Sequence, residues 1–139
     1  EAMGREPLLV AYQFDQDLEN IRRIWKNVPY LGQGVSSAQA SENIDRWNKR
    51  ELPVLAIHPN SASHGLNLQY GGHHIAWLAL PWSLDGYKQS VERLDRRGQV
   101  APVFSHHILA RDTIDERVSA ALVEKDEAQN KLIAAIRKL

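Results

Sequence analysis

A chain of 139 residues with 43% hydrophobic content has enough apolar side chains for one compact core and suits a single domain. A formal net charge of +0 argues against a protein that holds nucleic acid by bulk positive charge, while leaving a local basic patch open. The lack of cysteine excludes a disulfide framework and a cysteine-based zinc site, no apolar run is long enough to span a bilayer, and no signal peptide is visible.

The opening at Glu1 reads residues 1–6 as an added leader or a linker on a domain cut from a longer protein, with the domain proper over 7–112 and a C-terminal helix over 113–139. Leu8 to Tyr12, after Pro7, predicts a buried strand. Asp15 predicts the cap of a helix of about a dozen residues whose buried stripe is Leu18, Ile21, Ile24 and Trp25. A very short strand near Tyr30 and Leu31 leads into a Gly/Ser-rich loop from Gly32. Helical periodicity returns from Ala38 to Lys49, with Ile44 and Trp47 on one face. Val54 to Ile57 and Ile75 to Leu80 predict two more buried strands, Ser83 the cap of a helix from Leu84 to Arg96, and Val103 to Leu109 another strand. Thr113-Ile114-Asp115-Glu116 forms a capping box that opens a long C-terminal helix. Short apolar strands alternating with helices predict a three-layer α/β/α domain with a mainly parallel sheet, in which ligands gather at the carboxyl ends of the strands.

The segment from Gln89 to Gln99 carries the most chemistry. On a continuous helix Gln89, Arg93 and Arg96 fall within about 60° of one another, and Leu84, Tyr87, Val91 and Leu94 cluster on nearly the opposite side. Gly98 would end that helix. Such a face is the solvated side of an ordinary amphipathic helix, or it is a phosphate clamp. Two guanidinium forks one turn apart match the oxygens of a transferring phosphoryl group.

The pattern Gln89-x-x-x-Arg93-x-x-Arg96-x-Gly98-Gln99 resembles helicase motif VI of superfamily 2 in its Swi/Snf-like form. Pro7-Leu-Leu-Val-Ala-Tyr-Gln13-Phe14 is similar to motif IV, a strand ending in Gln-Phe before a helix, and Ile44-Asp-Arg-Trp47-Asn48 to the helix after a Gly/Ser loop. Ser61-Ala-Ser-His-Gly65-Leu-Asn67-Leu68 resembles motif V, with Ala62-Ser63 where two glycines are usual. Leu80-Pro81-Trp82-Ser83 stands where the family has an Asp-Trp-Asn-Pro-like element, without its aspartate, and Thr113-Ile-Asp-Glu-Arg117-Val118 resembles the segment opening the last helix. The ordered set covers nearly the whole chain and identifies a C-terminal RecA-like helicase domain, of a divergent phage or bacterial type and not a chromatin remodeller.

That resemblance implies a motor half. The chain has no Gly-x-x-x-x-Gly-Lys-Ser/Thr, so ATP and Mg²⁺ would be held mainly by an N-terminal RecA-like domain of the same parent chain. Arg96 would be the arginine finger, with Arg93 beside it on the γ-phosphate. Gln89, Gly65, Asn67 and Gln99 would serve the nucleotide side: Gln89 orienting the arginines, the Gly65 backbone approaching the ribose or phosphate, Asn67 holding that loop in shape. Nucleic acid, expected as double-stranded DNA, would run along Gln13, Ser61, Ser63 and Trp82 through contacts to its backbone. The expected setting is the cytoplasm of a bacterial or phage-infected cell.

Other residues tempt a different reading. Six histidines include the pairs His73-His74 and His106-His107 plus His58 and His64, but adjacent histidines on a strand point to opposite faces and no carboxylate stands at metal-ligand spacing, so no metal site is expected. Trp25, Trp47 and Trp77 read as core, and Trp82, in a loop at a strand end, is the one candidate to stack on a base. The last helix has a polar middle from Glu124 to Lys131, then Leu132, Ile133, Ile136 and Leu139, an apolar patch suited to another domain or to a dimer. A degenerate module that docks nucleic acid or protein without hydrolysis is the competing reading, and a metal-dependent hydrolase using His58 and His64 a third.

Overall fold

The computed structural model describes residues 6–64, 66–81, 83–108 and 114–137, with the backbone alone for 62–64, 114 and 115. Five strands form one sheet: β1 (Leu8–Ala11), β2 (Tyr30–Leu31), β3 (Val54–Ile57), β4 (His74–Trp77) and β5 (Phe104–His107). They run in the order β2-β3-β1-β4-β5, every neighbouring pair parallel. The all-parallel α/β architecture predicted from the apolar runs is the one observed.

Alternation along the strands divides the core in two. Leu9, Ala11, Leu55, Ile57, Ile75 and Trp77 face the layer built by α2 (Ser37–Asn48), α3 (Leu84–Glu92) and α4 (Ile114–Arg137), joined there by Trp47, Leu94, Val118 and Leu122. Val10, Tyr12, Val54 and Ala56 face α1 (Asp15–Ile24) through Leu18 and Ile21. Each strand side chain thus reaches a helix according to its parity.

Local signals explain most helix ends. Ser36 caps α2 by accepting from the Gln39 backbone N–H, and Ser83 caps α3 by accepting from that of Gly86. In α1 the cap position belongs to Phe14 and not to Asp15. The Asp17 carboxylate reaches back to the Phe14 and Gln13 backbone N–H groups, at 2.9 and 3.2 Å, so an acidic residue in the first turn does the work expected of Asp15.

Two parts of the expected buried stripe of α1 lie outside the core. Ile24 is 72% and Trp25 38% exposed, because the last turn of α1 borders an open groove beside β1 and β4 and does not close over it. Among the described residues α1 is the only helix on this face, and beside it Val10, Ile21, Ile24, Trp25, Leu78 and Ile108 line an open apolar groove of about 360 Å³. The strands also stop short of their expected limits: β4 at Trp77 instead of Leu80 and β5 at His107, with Leu109 outside the described residues. Edge position leaves Phe104, Ser105 and His107 of β5 exposed.

Early α4 packs through Val118 and Leu122 and is tied to α3 by Lys88, whose ammonium meets Asp126 at 2.8 Å and Gln129 at 2.6 Å. Beyond that tie Leu132, Ile133 and Ile136 are exposed. The capping residue expected at Thr113 lies outside the described residues.

Candidate functional site

The arginine segment is not one continuous helix, which corrects the helical-face argument. Helix α3 ends at Glu92 with Arg93 as its cap, and from Arg93 the chain turns instead of winding on to Arg96. The Arg96 N–H bonds the Leu94 carbonyl at 3.1 Å and not the Glu92 carbonyl that a continuing helix would use, while the Arg93 carbonyl accepts the Leu68 backbone N–H at 3.2 Å. Arg96 then sends one guanidinium N–H to the Leu66 carbonyl at 2.9 Å. Gly98 closes the turn at φ 102°, and a Cβ there would lie 2.9 Å from the Tyr70 ring. Gly98→Ala is therefore expected to cost about 1–3 kcal/mol through backbone strain and collision. Urea denaturation of the two proteins would check it, and an unchanged midpoint would contradict it.

The loop that receives these bonds is gripped from its other side by the end of α2. Trp47 Nε1 donates to the Leu68 carbonyl at 2.9 Å, Asn48 Nδ2 to the Asn67 carbonyl at 2.7 Å, and Arg50 Nε to the Tyr70 carbonyl at 3.3 Å. The main chain of 66–70 is thus fixed between two elements. Within this frame the Arg93 Nε is buried and has no hydrogen-bond partner among the described residues. That N–H is closed to water and equally to a ligand, so only the remaining part of the half-buried Arg93 side chain is open to an acceptor such as a phosphate oxygen.

A second concavity lies at the carboxyl ends of β1 and β3, a polar cleft of about 340 Å³ lined by Gln13, Phe14, Asp15, Gln33, Asn60 and Ser61 among others. His58 holds its two walls together. Its Nδ1 accepts the Asn60 backbone N–H at 3.1 Å, so the ring proton sits on Nε2, which donates to the Gln13 carbonyl at 3.1 Å. Burial, with Tyr30 and Asp15 nearby, pushes the Tyr12 phenol beside His58 up to about 12, so it stays neutral. Inside the cleft wall the Gln13 Oε1 is buried without a partner among the described residues, and Phe14 is 64% exposed at the rim. The sequence offered no sign of the His58 bridge, because it joins groups 45 positions apart.

Comparison with known proteins bears on this geometry. No family model matches the chain. Protein p41 of Acyrthosiphon pisum secondary endosymbiont phage 1 is 36% identical over 140 residues, covering 97% of this chain and 29% of the phage protein. YwqA of Bacillus subtilis, provisionally named an ATP-dependent helicase/translocase, is 24% identical over 133 residues, covering 92% of this chain and 14% of its own length. The chain thus spans less than a third of either curated relative. The crystal structure of the C-terminal part of the Fun30 ATPase domain superposes with a TM-score of 0.77 over 87% of this chain and 40% of that one, at 17% identity. The chain is a Swi/Snf-like C-terminal RecA-like domain.

In this Swi/Snf-like domain the predicted site residues fall into two groups at opposite edges of the sheet. Gln13 and Ser61 line the cleft at the carboxyl ends of the strands. Arg93, Arg96, Asn67 and Gln99 lie instead near the amino ends of β4 and β5, where Gln99 bonds the Gly72 carbonyl just ahead of β4. The expected site residues therefore do not all lie at the carboxyl edge of the sheet. The chain from His58 to His73 crosses from one edge to the other, and this crossing separates the arginines from the cleft.

Individual positions follow. Gln89 is half-buried on α3. The Asn67 side chain is exposed, and it is its carbonyl that Asn48 holds. Gln99 directs both ends of its amide to main-chain groups: Nε2 lies within 2.9–3.1 Å of the Gln69, Gly72 and Leu94 carbonyls, and Oε1 accepts from Val100 and Ala101. Gly65 and Trp82 lie outside the described residues, as do the side chains of Ser63 and His64. Trp47 and Trp77 are fully buried, as the core reading requires.

Of the histidine pairs, His106 faces His74 across 3.1 Å while His107 meets the Tyr87 hydroxyl at 2.7 Å on the other side, as strand alternation dictates. His73 and His74 do not split as expected: their ring centroids lie 4.3 Å apart, because His73 precedes β4. Burial lowers the His74 and His107 pKa values. Among the described residues no three His, Asp or Glu side chains form a metal-ligand group, and no helix is long and apolar enough to cross a membrane.

Proposed function

We propose that this domain is the second half of a nucleic-acid-dependent ATPase, a helicase or translocase motor, and contributes one wall of an ATP site that a first RecA-like domain completes. The observation that carries the reading is the placement of Arg93 and Arg96, both half-buried, on one turn whose backbone is fixed from both sides. Arg96 gives one N–H to Leu66 and keeps its remaining donors for a second acceptor. Two such groups stabilise the charge that develops on the oxygens of a γ-phosphoryl group in transfer. ATP supplies that group, and Mg²⁺ neutralises its charge; both are held mainly by the phosphate-binding loop of the other domain, a motif this chain lacks. Gln89 orients the arginines, Gly65 and Asn67 shape the nucleotide-side loop, and Gln99 acts through the turn it braces.

The polar cleft is the nucleic-acid track in this reading. Gln13 and Ser61, and by the motif Ser63, offer amide and hydroxyl groups to the backbone of double-stranded DNA, which requires no net positive charge on the domain, and Trp82 is the candidate to stack on a base. The likeness to the phage protein and to YwqA supports a phage or bacterial origin and a cytoplasmic setting. The exposed Leu132, Ile133 and Ile136 suit another domain or a second copy.

The test compares the 139-residue chain with the longer protein of which we propose it is part. The chain alone is expected to hydrolyse no ATP, and the longer protein to hydrolyse it faster with double-stranded DNA present. Turnover by the chain alone would overturn the composite site. A longer protein that binds DNA without hydrolysing ATP would identify a docking module instead.

A further inference from the structure

The turn that carries the arginines and the loop of motif V are joined by bonds that run in both directions. Gln99, on the turn, donates through Nε2 to the carbonyls of Gln69 at 3.1 Å and Gly72 at 2.9 Å, on the loop. Gln69, on the loop, donates through its own Nε2 to the Arg97 carbonyl at 3.2 Å, on the turn. The Leu68 N–H to Arg93 carbonyl and the Arg96 guanidinium to Leu66 carbonyl bonds close the same gap. Gln69 is only 7% exposed, so its bond forms away from competing water. Tyr70 fills the space under Gly98, leaving no room for the turn to slide.

From this reciprocity we infer that Gln99 and Gln69 form an amide clasp that makes the arginine turn and the 66–72 loop one rigid body, and that both are positioning residues for Arg93 and Arg96. The functional half of this inference rests on the proposed role of the two arginines; the clasp itself does not. An arginine fork must meet the phosphoryl oxygens at hydrogen-bond distance, and a turn after a helix end has little internal stiffness to hold it there. The clasp supplies that stiffness from a loop which α2 already holds through Trp47, Asn48 and Arg50.

The two ends of the Gln99 amide allow a decisive substitution. Gln99→Glu keeps the acceptor for the Val100 and Ala101 N–H groups but sets a carboxylate oxygen against the Leu94 carbonyl of its own turn and against the Gln69 and Gly72 carbonyls of the loop. If Gln99 only shapes its own turn, the disturbance stays in the turn and the loop is unaffected. If it is the clasp, the loop loosens. Amide hydrogen exchange on the 139-residue chain reads this at Leu68, whose N–H bonds across the gap. Exchange about tenfold faster in Q99E than in the parent, with a cooperative melt retained, is the expected result. Leu68 exchange unchanged in a folded Q99E overturns the clasp. Should Q99E fail to fold, Gln69→Ala removes the opposite donor and is read at the Gln99 amide, which bonds the Arg96 carbonyl; about tenfold faster exchange is again expected and no change overturns.

Kinetics of the longer protein then separate this inference from the reading beneath it. Q99E is expected to lower kcat for ATP about tenfold with little change in KM, since it misplaces groups that act in the transition state. Inactive R93A and R96A beside a fully active Q99E would overturn the positioning role. Full turnover in R93A and R96A would instead overturn the arginine reading, with the exchange result still deciding the clasp.

Discussion

Alanine in place of Arg93 or Arg96 is expected to lower ATP hydrolysis by the longer protein by about 10³-fold or more, with nucleic-acid binding changed by no more than about threefold. The magnitude follows from what each group does in the ground state. Arg93 is half-buried on a turn whose own carbonyl is tied to Leu68, so little reorganisation is needed for its fork to meet a phosphate oxygen. Arg96 is anchored at one N–H by the Leu66 carbonyl, which fixes the direction of the rest of the fork. Lysine at either position retains the charge without the fork and is expected to restore only a small part of the rate. DNA binding is spared because the polar cleft of Gln13 and Ser61 lies at the opposite edge of the sheet. Steady-state turnover measured beside a DNA-binding titration checks both halves. Near-normal hydrolysis by the alanine variants would remove the arginines from the mechanism.

Trp47→Ala carries the largest expected loss of stability. The side chain is 0% exposed, packs in the larger core cluster, and holds the Leu68 carbonyl through Nε1 at 2.9 Å. Truncation leaves a cavity and an unpaired buried carbonyl together, a loss of about 4–6 kcal/mol. Against a domain stability of about 5–15 kcal/mol this removes a large share of the folded margin. Phenylalanine keeps most of the apolar volume and loses the bond, for about 1–2 kcal/mol. Urea unfolding of the three proteins checks the order. A loss under about 1 kcal/mol for alanine would contradict the packing described. The effect should also reach the site, because the 67–70 main chain hangs on the end of α2.

What was legible in the sequence is what short-range chemistry determines. Leu8–Ala11 and Val54–Ile57 are apolar runs with nowhere to go but a sheet buried on both faces, and Ser83 marks a helix start by the bond its hydroxyl makes to a backbone N–H, whereas the Ser36 cap was not legible. The ordered motifs gave the fold class before any coordinate. The end of α3 was not legible: periodicity and Gly98 favour a helix to Arg96, whereas the chain leaves the helix after Glu92 and the turn that follows bonds to the 66–72 loop, a partner on another segment. Ile24 and Trp25 kept the right spacing for burial, yet the last turn of α1 borders an open groove that it does not close over. Gln99 was read as a residue of the nucleotide side because it stands in the motif. Its amide bonds to Gln69 and Gly72, 30 and 27 positions away, exist only in three dimensions. The His58 bridge across the cleft is of the same kind.

The central claim is that this chain forms one wall of an ATP site closed by another domain. The most direct measurement is a crystal structure of the longer protein with ADP, Mg²⁺ and aluminium fluoride as the mimic of the transferring phosphoryl group. The account predicts guanidinium nitrogens of both Arg93 and Arg96 within about 3 Å of the fluoride ligands, while the Gln99 bonds to the 66–72 loop stay intact. A closed complex in which both arginines face solvent, about 8 Å or more from the fluoride and far outside bonding range, would contradict it.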